Sequence, residues 1–184
     1  STKMITAGTG GALLLSDAQD VAEASEYAQQ ELSVETYRAD GFRPTLGQQL
    51  SDLNAGLGLA QLRRLPQFIE RRRAIARVYD AALYDKSRLA PPAWAAGAES
   101  AFYRYYFLSE QSAQWLAWLL GREIDARPSI AHNSSDYFAT DRAFPNFESA
   151  KNRVVSLPLY PSLADVDVGR IADALRQGID SGLA

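Results

Sequence analysis

Cysteine is absent from the 184 residues, and histidine occurs once, as His132. Without cysteine there are no disulfides and no thiolate metal sites. A single histidine with no carboxylates clustered at ligand spacing argues no metal centre and no nucleophilic triad. Positive charge is also scarce: the net charge is -3 and the isoelectric point about 5.2. A chain of that balance lacks the broad positive field that nucleic acid or an anionic membrane requires. Long apolar runs and a basic, apolar leader are missing as well, so no membrane span is expected and the cytoplasm is the expected location. Repeats and low-complexity tracts are absent. What remains is 47% hydrophobic and 22% charged, the balance of a chain that folds around a core.

Along the chain, the small, glycine-rich opening runs into Ala12-Leu13-Leu14-Leu15, a short apolar run that reads as a buried strand. Ser16 or Asp17 can cap a helix reaching about Leu32. Residues 33–50, with Gly41, Pro44 and Gly47, read as a long loop, a type more often functional than idle. Ser51 or Asp52 opens a helix with Leu53, Leu57 and Ala60 on one side, and Pro66 suits the first turn of a new helix. In that second helix Phe68, Ile69, Ile75, Val78, Tyr79 and Leu83 recur at three- and four-residue steps. Its other residues include Arg71, Arg72, Arg73 and Arg77, expected to form a solvated or salt-bridged face, since no glycine-rich phosphate cradle accompanies them.

Leu89-Ala90-Pro91-Pro92 marks an internal boundary within 85–100. Beyond it, Phe102 to Leu108 is dense in aromatic residues and reads as a central strand whose rings belong to a core. Ser112–Leu120 reads as a helix ended by Gly121, and Val154–Leu157 as a short strand. Ser162–Gly178 reads as a last helix, with Val166, Ile171, Leu175 and Ile179 inward and Ser162 and Asp165 at capping-box spacing.

Gly8-Thr9-Gly10-Gly11 has neither dinucleotide nor P-loop spacing and by itself signals a turn. In context it says more. The stretch Thr2-Lys3-Met4-Ile5-Thr6-Ala7-Gly8-Thr9-Gly10-Gly11-Ala12 resembles the T-K-x-I/L-T segment leading to G-G in the DegT/StrS family of pyridoxal-phosphate sugar aminotransferases. Ser51 to Leu62 resembles that family's S-D-L-x-A-A-L-G-L-x-Q-L helix, and Phe68 to Tyr79 its F-x-x-x-R-R-x-x-A-x-x-Y pattern. Phe144-Pro145-Asn146 and Ser156-Leu157-Pro158-Leu159-Tyr160-Pro161 resemble its F-P-x-A-E and L-P-x-x-P signatures. These segments span nearly the whole chain in the family's order.

The resemblance implies a fold-type-I α/β chain. Residues 1–50 would be a remnant of the large cofactor domain, 51–95 connecting helices, and 96–184 a small C-terminal α+β domain. It also implies that Lys3 is the catalytic, cofactor-binding lysine, the amine that condenses with the aldehyde of pyridoxal phosphate and then shuttles a proton. In the family an asparagine before the S-D-L helix reaches the cofactor phosphate of the neighbouring subunit. Here Arg43 takes that place when counting from Gly41, and Gly47 when counting back from Ser51, so the asparagine is lost. Arg43 is then either a substitute phosphate ligand or an exposed loop arginine. Arg127-Pro128, His132 and Tyr137 resemble a stretch near the substrate with two residues fewer between proline and histidine. His132 and Tyr137 are the implied substrate-binding residues, against the alternative of an exposed loop histidine.

The implied reaction is amino transfer, usually from glutamate, to the keto group of a nucleotide-linked sugar. Most of the family's cofactor pocket precedes the lysine, so the expectation is a chain that neither retains pyridoxal phosphate nor catalyses alone. Such a chain would be a fragment, a truncated product or half of a split enzyme, and would associate with itself or with an N-terminal half. The other expectation is a non-catalytic dimerisation or regulatory remnant that binds a related aminotransferase.

Overall fold

A computed structural model describes residues 3–28, 50–84, 89, 95–128 and 144–183. In chain order the elements are α1 (Ala18–Ala28), α2 (Asp52–Tyr84), β1 (Tyr105–Leu108), α3 (Ser112–Leu120), α4 (Pro145–Lys151), β2 (Val154–Leu157) and α5 (Asp165–Asp180). The chain divides into two compact units, Ser1–Leu65 and Pro66–Ala184, with α2 running through the boundary.

In the first unit Asp17 caps α1, its Oδ1 accepting from the backbone N–H groups of Gln19 and Asp20 at 2.7 and 3.4 Å. Ser51 Oγ caps α2 in the same way, accepting from the Asn54 N–H at 3.3 Å. The strand expected at Ala12–Leu15 is not formed, and Leu13 and Leu14 are 72% and 93% exposed. An apolar run becomes a strand only beside another strand that satisfies its backbone groups, and none stands in this unit among the described residues. No described residue of this unit is buried.

Pro66 does not begin a helix; it lies inside α2, which runs unbroken from Asp52 to Tyr84. Proline removes one intrahelical bond, but turns already formed on both sides and a packed second half offset that loss. The buried residues of that half are Arg72, Ile75, Ala76, Tyr79, Ala82 and Leu83, spaced as one helical stripe. Val78 lies off the stripe and is exposed, contrary to its expected inward position.

Arg72 is the main departure from the expected solvated face. It is only 5% exposed, and its Nη1 donates to the carbonyls of Phe102, Tyr103 and Leu159 at 3.1, 3.1 and 3.0 Å. One amino nitrogen carries two hydrogens, so one of them is shared between two carbonyls. The other three arginines are salt-bridged as expected: Arg71 to Asp165 at 2.6 Å, Arg73 to Glu99 at 2.8 Å and Arg77 to Glu70 at 3.1 Å.

The aromatic run forms a strand only at Tyr105–Leu108, because Phe102 has a left-handed φ of 46° that ends extended pairing. Nor is β1 central. It pairs antiparallel with β2 in register Tyr105↔Leu157 to Leu108↔Val154, and β2 is the strand with neighbours on both sides, since Ser156 also bridges Arg127. Tyr105, Phe107, Val155 and Leu157 join the core with Trp115 and Leu119 of α3 and Ile171 and Leu175 of α5. Phe107 and Trp115 meet edge to face, with ring centroids 5.3 Å apart.

Helix α3 ends at Leu120 as expected, but Gly121 stays right-handed and the left-handed residue is Glu123, φ 58°. The glycine that packing requires is Gly178: a Cβ there would stand 2.4 Å from the buried Trp115 ring. Helix α5 begins at Asp165, not Ser162, and has no side-chain cap. The Asp165 carboxylate pairs with Arg71, which also donates to the Leu163 carbonyl at 2.7 Å, and so does not close a capping box. Val166 is 78% exposed instead of inward.

Two stability tests follow from this core. Arg72→Met keeps the length of the stem but removes the donor shared by three carbonyls, and should lower stability by about 3 kcal/mol in denaturant titration. An equally stable variant would mean the guanidinium is dispensable. The second test concerns Tyr79 and Tyr105, whose phenols are pushed well above the ordinary range, first by burial. Further causes are the charge of Tyr160 for Tyr79, and for Tyr105 its hydrogen bond to Asp80 Oδ1 at 2.7 Å. A raised folded-state pKa means the stabilisation is intact below the unfolded value of about 10 and is lost as pH rises above it. Unfolding free energy should therefore fall above pH ~10 by about 1.4 kcal/mol per pH unit for each such tyrosine. In Tyr105→Phe the slope should be shallower by one such increment.

Candidate functional site

Of the four residues singled out by sequence, only Lys3 lies among the described residues; Arg43, His132 and Tyr137 lie outside them. Lys3 is exposed, at the head of a bent segment that leads through Met4 to Ala7, all half-buried, into the glycine turn. The turn is built from backbone conformations suited to glycine, with φ 78° at Gly8 and 134° at Gly10. Thr6 Oγ1 accepts from the Gly8 N–H at 3.1 Å.

The segment is fastened to the first turns of α2. Asn54 Nδ2 donates to Thr9 Oγ1 at 3.2 Å, and a Cβ added at Gly8 would stand 3.1 Å from Asn54 Oδ1. One turn further, Gly58 faces the Ala7 methyl, which a Cβ at that position would approach to 3.2 Å. The lysine segment and the helix opened by Ser51-Asp52 are thus one local structure. Asn54 and Gly58 were legible only as members of a helix pattern; their contacts join residues some 45 positions apart, which no periodicity announces.

The second unit frames the segment that holds His132 and Tyr137. On one side Arg127 exchanges backbone bonds with Ser156 of β2, at 3.0 and 2.8 Å, before Pro128 removes the next N–H. On the other side Phe144 leads into α4, which has Pro145 in its first turn.

The sequence of residues 1–176 matches the model of the DegT/DnrJ/EryC1/StrS aminotransferase family. The chain belongs to that family. It is 38% identical over 145 residues to the dTDP-4-dehydro-2,3,6-trideoxy-D-glucose 4-aminotransferase of Saccharopolyspora spinosa, a match covering 73% of this chain and 37% of the relative. The spore coat polysaccharide biosynthesis protein SpsC of Bacillus subtilis is 26% identical, with 96% and 51% covered. Among solved structures, the aminotransferase TlmJ of Streptoalloteichus hindustanus superposes with a TM-score of 0.69 at 30% identity, over 91% of this chain and 47% of that one. The sugar aminotransferase CalS13 of Micromonospora echinospora gives 0.72 at 22% identity, over 95% and 49%, a likeness of fold alone. The fold is therefore that of part of a fold-type-I α/β aminotransferase, and the chain spans between 37% and 51% of the length of these relatives. Among the described residues no helix is long and apolar enough to cross a membrane, and no group of His, Asp or Glu could hold a metal.

The family implies pyridoxal phosphate. The residues present fit one of its attachments: Lys3 offers an amine on an exposed, glycine-hinged segment, the chemistry an aldehyde needs. The contacts that order Thr6 to Gly10 come from neutral groups, Thr6, Thr9 and Asn54, and bring no charge to a phosphate or a ring nitrogen. If the Asn54 link fastens the segment, Asn54→Ala should speed amide exchange across residues 6–10 by about two- to tenfold, the worth of one exposed hydrogen bond. Unchanged exchange there would show that the segment is held without it.

Proposed function

We propose that this chain is the C-terminal part of a pyridoxal-phosphate-dependent aminotransferase acting on a keto-sugar linked to a nucleotide, with Lys3 as its reactive amine. The observation that carries this reading is the Lys3 segment, pinned by Asn54 to α2 within a match that runs from residue 1 to 176. In this reading residues 1–50 belong to the large domain, 51–95 connect, and 96–184 form the small domain. The named activity of the Saccharopolyspora relative, amino transfer to C4 of a dTDP-linked deoxysugar, suggests the substrate class.

Pyridoxal phosphate, when bound, supplies the electron sink that makes the hydrogen on the amine-bearing carbon acidic. Lys3 would hold the cofactor through its Nζ and, once an amino donor has displaced it, its free amine would be the group that moves that proton; the Gly8 and Gly10 turn shapes the segment while Asn54 fastens its base to α2. Arg43 is proposed to meet the cofactor phosphate, and His132 and Tyr137 the substrate. In this reading the remaining contacts to ring and phosphate come from the rest of the large domain, which also covers Leu13, Leu14 and Leu53, each exposed in the described residues.

The experiment is reconstitution. Passed through gel filtration after incubation with pyridoxal phosphate, the chain alone should emerge colourless. Mixed with an N-terminal half of the family, it should retain a band at roughly 410–430 nm, transfer nitrogen from glutamate to a dTDP-4-keto sugar, and lose both in Lys3→Ala. Arg43→Ala should weaken retention of the cofactor without abolishing transfer at saturating cofactor. A mixture that assembles yet transfers nothing with Lys3 intact would favour the other reading, a dimerisation or regulatory remnant.

A further inference from the structure

The second unit has a cavity of about 620 Å³, open on one side to solvent, lined by the turn after α3 and by α5. Its floor is apolar: Ile124, fully buried, with Ala174 and the bare backbone of Gly169. Val166 stands beside them, 78% exposed, an apolar side chain without cover on the same helical stripe.

Gly169 is the telling residue. It occupies the interior of α5, where glycine weakens a helix, and it has no left-handed φ to justify it. A Cβ built there would meet nothing within 4 Å, whereas at Gly178 on the same helix it would strike Trp115. Packing within the chain explains Gly178 and leaves Gly169 unexplained; what Gly169 does is widen the cavity floor.

Two guanidinium groups stand at the rim. The Arg122 Cζ stands over the Trp118 ring, 3.4 Å from its centroid, with Nη1 donating to the Trp118 carbonyl at 3.3 Å. Arg170 reaches the Arg122 carbonyl through Nη1 at 3.4 Å and Asp167 through Nη2 at 3.4 Å. Each guanidinium carries five N–H groups, so these long contacts leave donors for a further acceptor. Asp173 also lines the cavity, but its Oδ1 accepts from Arg176 at 2.8 Å, which offsets its charge.

We propose that this cavity binds a small aryl anion, its ring on Gly169, Ala174 and Val166 and its carboxylate or phosphate between Arg122 and Arg170. The volume falls within the range of small-molecule sites, about 300–1,000 Å³, and a planar guanidinium pairs with either anion through two parallel bonds. The proposal is independent of the aminotransferase reading, since it uses no residue of that site.

The test is titration of the full chain with phenyl phosphate, followed by amide and indole NMR, with inorganic phosphate and phenol as comparators. Expected are saturable shifts at Gly169, Ala174 and the Trp118 indole, with a dissociation constant at least tenfold lower than either comparator gives. Gly169→Val should abolish the shifts, and Arg122→Gln with Arg170→Gln should weaken binding about tenfold or more. Gly169→Ala, which no neighbour opposes, should melt at or above the parent temperature, showing that the glycine is not there for the fold. Binding that survives Gly169→Val, equal binding of inorganic phosphate, no shifts at these residues, or a Gly169→Ala that melts lower would each overturn the proposal.

Discussion

The second unit depends on one buried cation. Arg72 leaves α2 at the start of its inward stripe and donates to carbonyls at Phe102, Tyr103 and Leu159, joining the helix to the approach to β1 and to the chain beyond β2. Burial lowers the pKa of this guanidinium, the mark of a charge taken from water. Such a group is tolerated only because those carbonyls replace its hydration. In return it holds the left-handed Phe102, whose ring stacks on Tyr105. The two-stranded sheet therefore meets the helix at one register, and Tyr79 and Tyr105 come edge to face at 5.2 Å.

From that junction the rest of the core closes outward. Tyr79 donates to the Pro158 carbonyl, Arg71 ties the start of α5 to α2, and α5 lays Gly178 against the Trp115 ring. Each contact joins segments distant in sequence, so the core behaves as one cooperative body. The first unit is built otherwise: caps at Asp17 and Ser51 and the Thr9–Asn54 link organise it locally, while most of its described leucines, Leu13, Leu14 and Leu53 foremost, are exposed.

That contrast bears on chemistry. The reactive amine proposed for Lys3 needs surroundings that exclude water and fix it within a fraction of an ångström. Lys3 stands where local structure is present and burial is not. The glycine turn and Asn54 set the direction of its segment; a dry pocket is a matter of what packs over it.

Local chemistry made much of this legible from the residues. Helix α3 and strand β2 fall where apolar period and punctuation put them, and the order of family motifs disclosed the family and the fold type. What sequence misjudged depended on neighbours. Leu13 and Leu14 form no strand, as no partner strand stands beside them among the described residues; Pro66 does not divide α2 because flanking turns sustain it; Val166 is exposed at the start of α5, where Asp165 pairs with Arg71. Arg72 shared the spacing of the apolar stripe all along, and its charge argued for solvent. Only the folded chain, by bringing carbonyls from 30 and 87 residues away to one nitrogen, made burial of that charge the lower free energy.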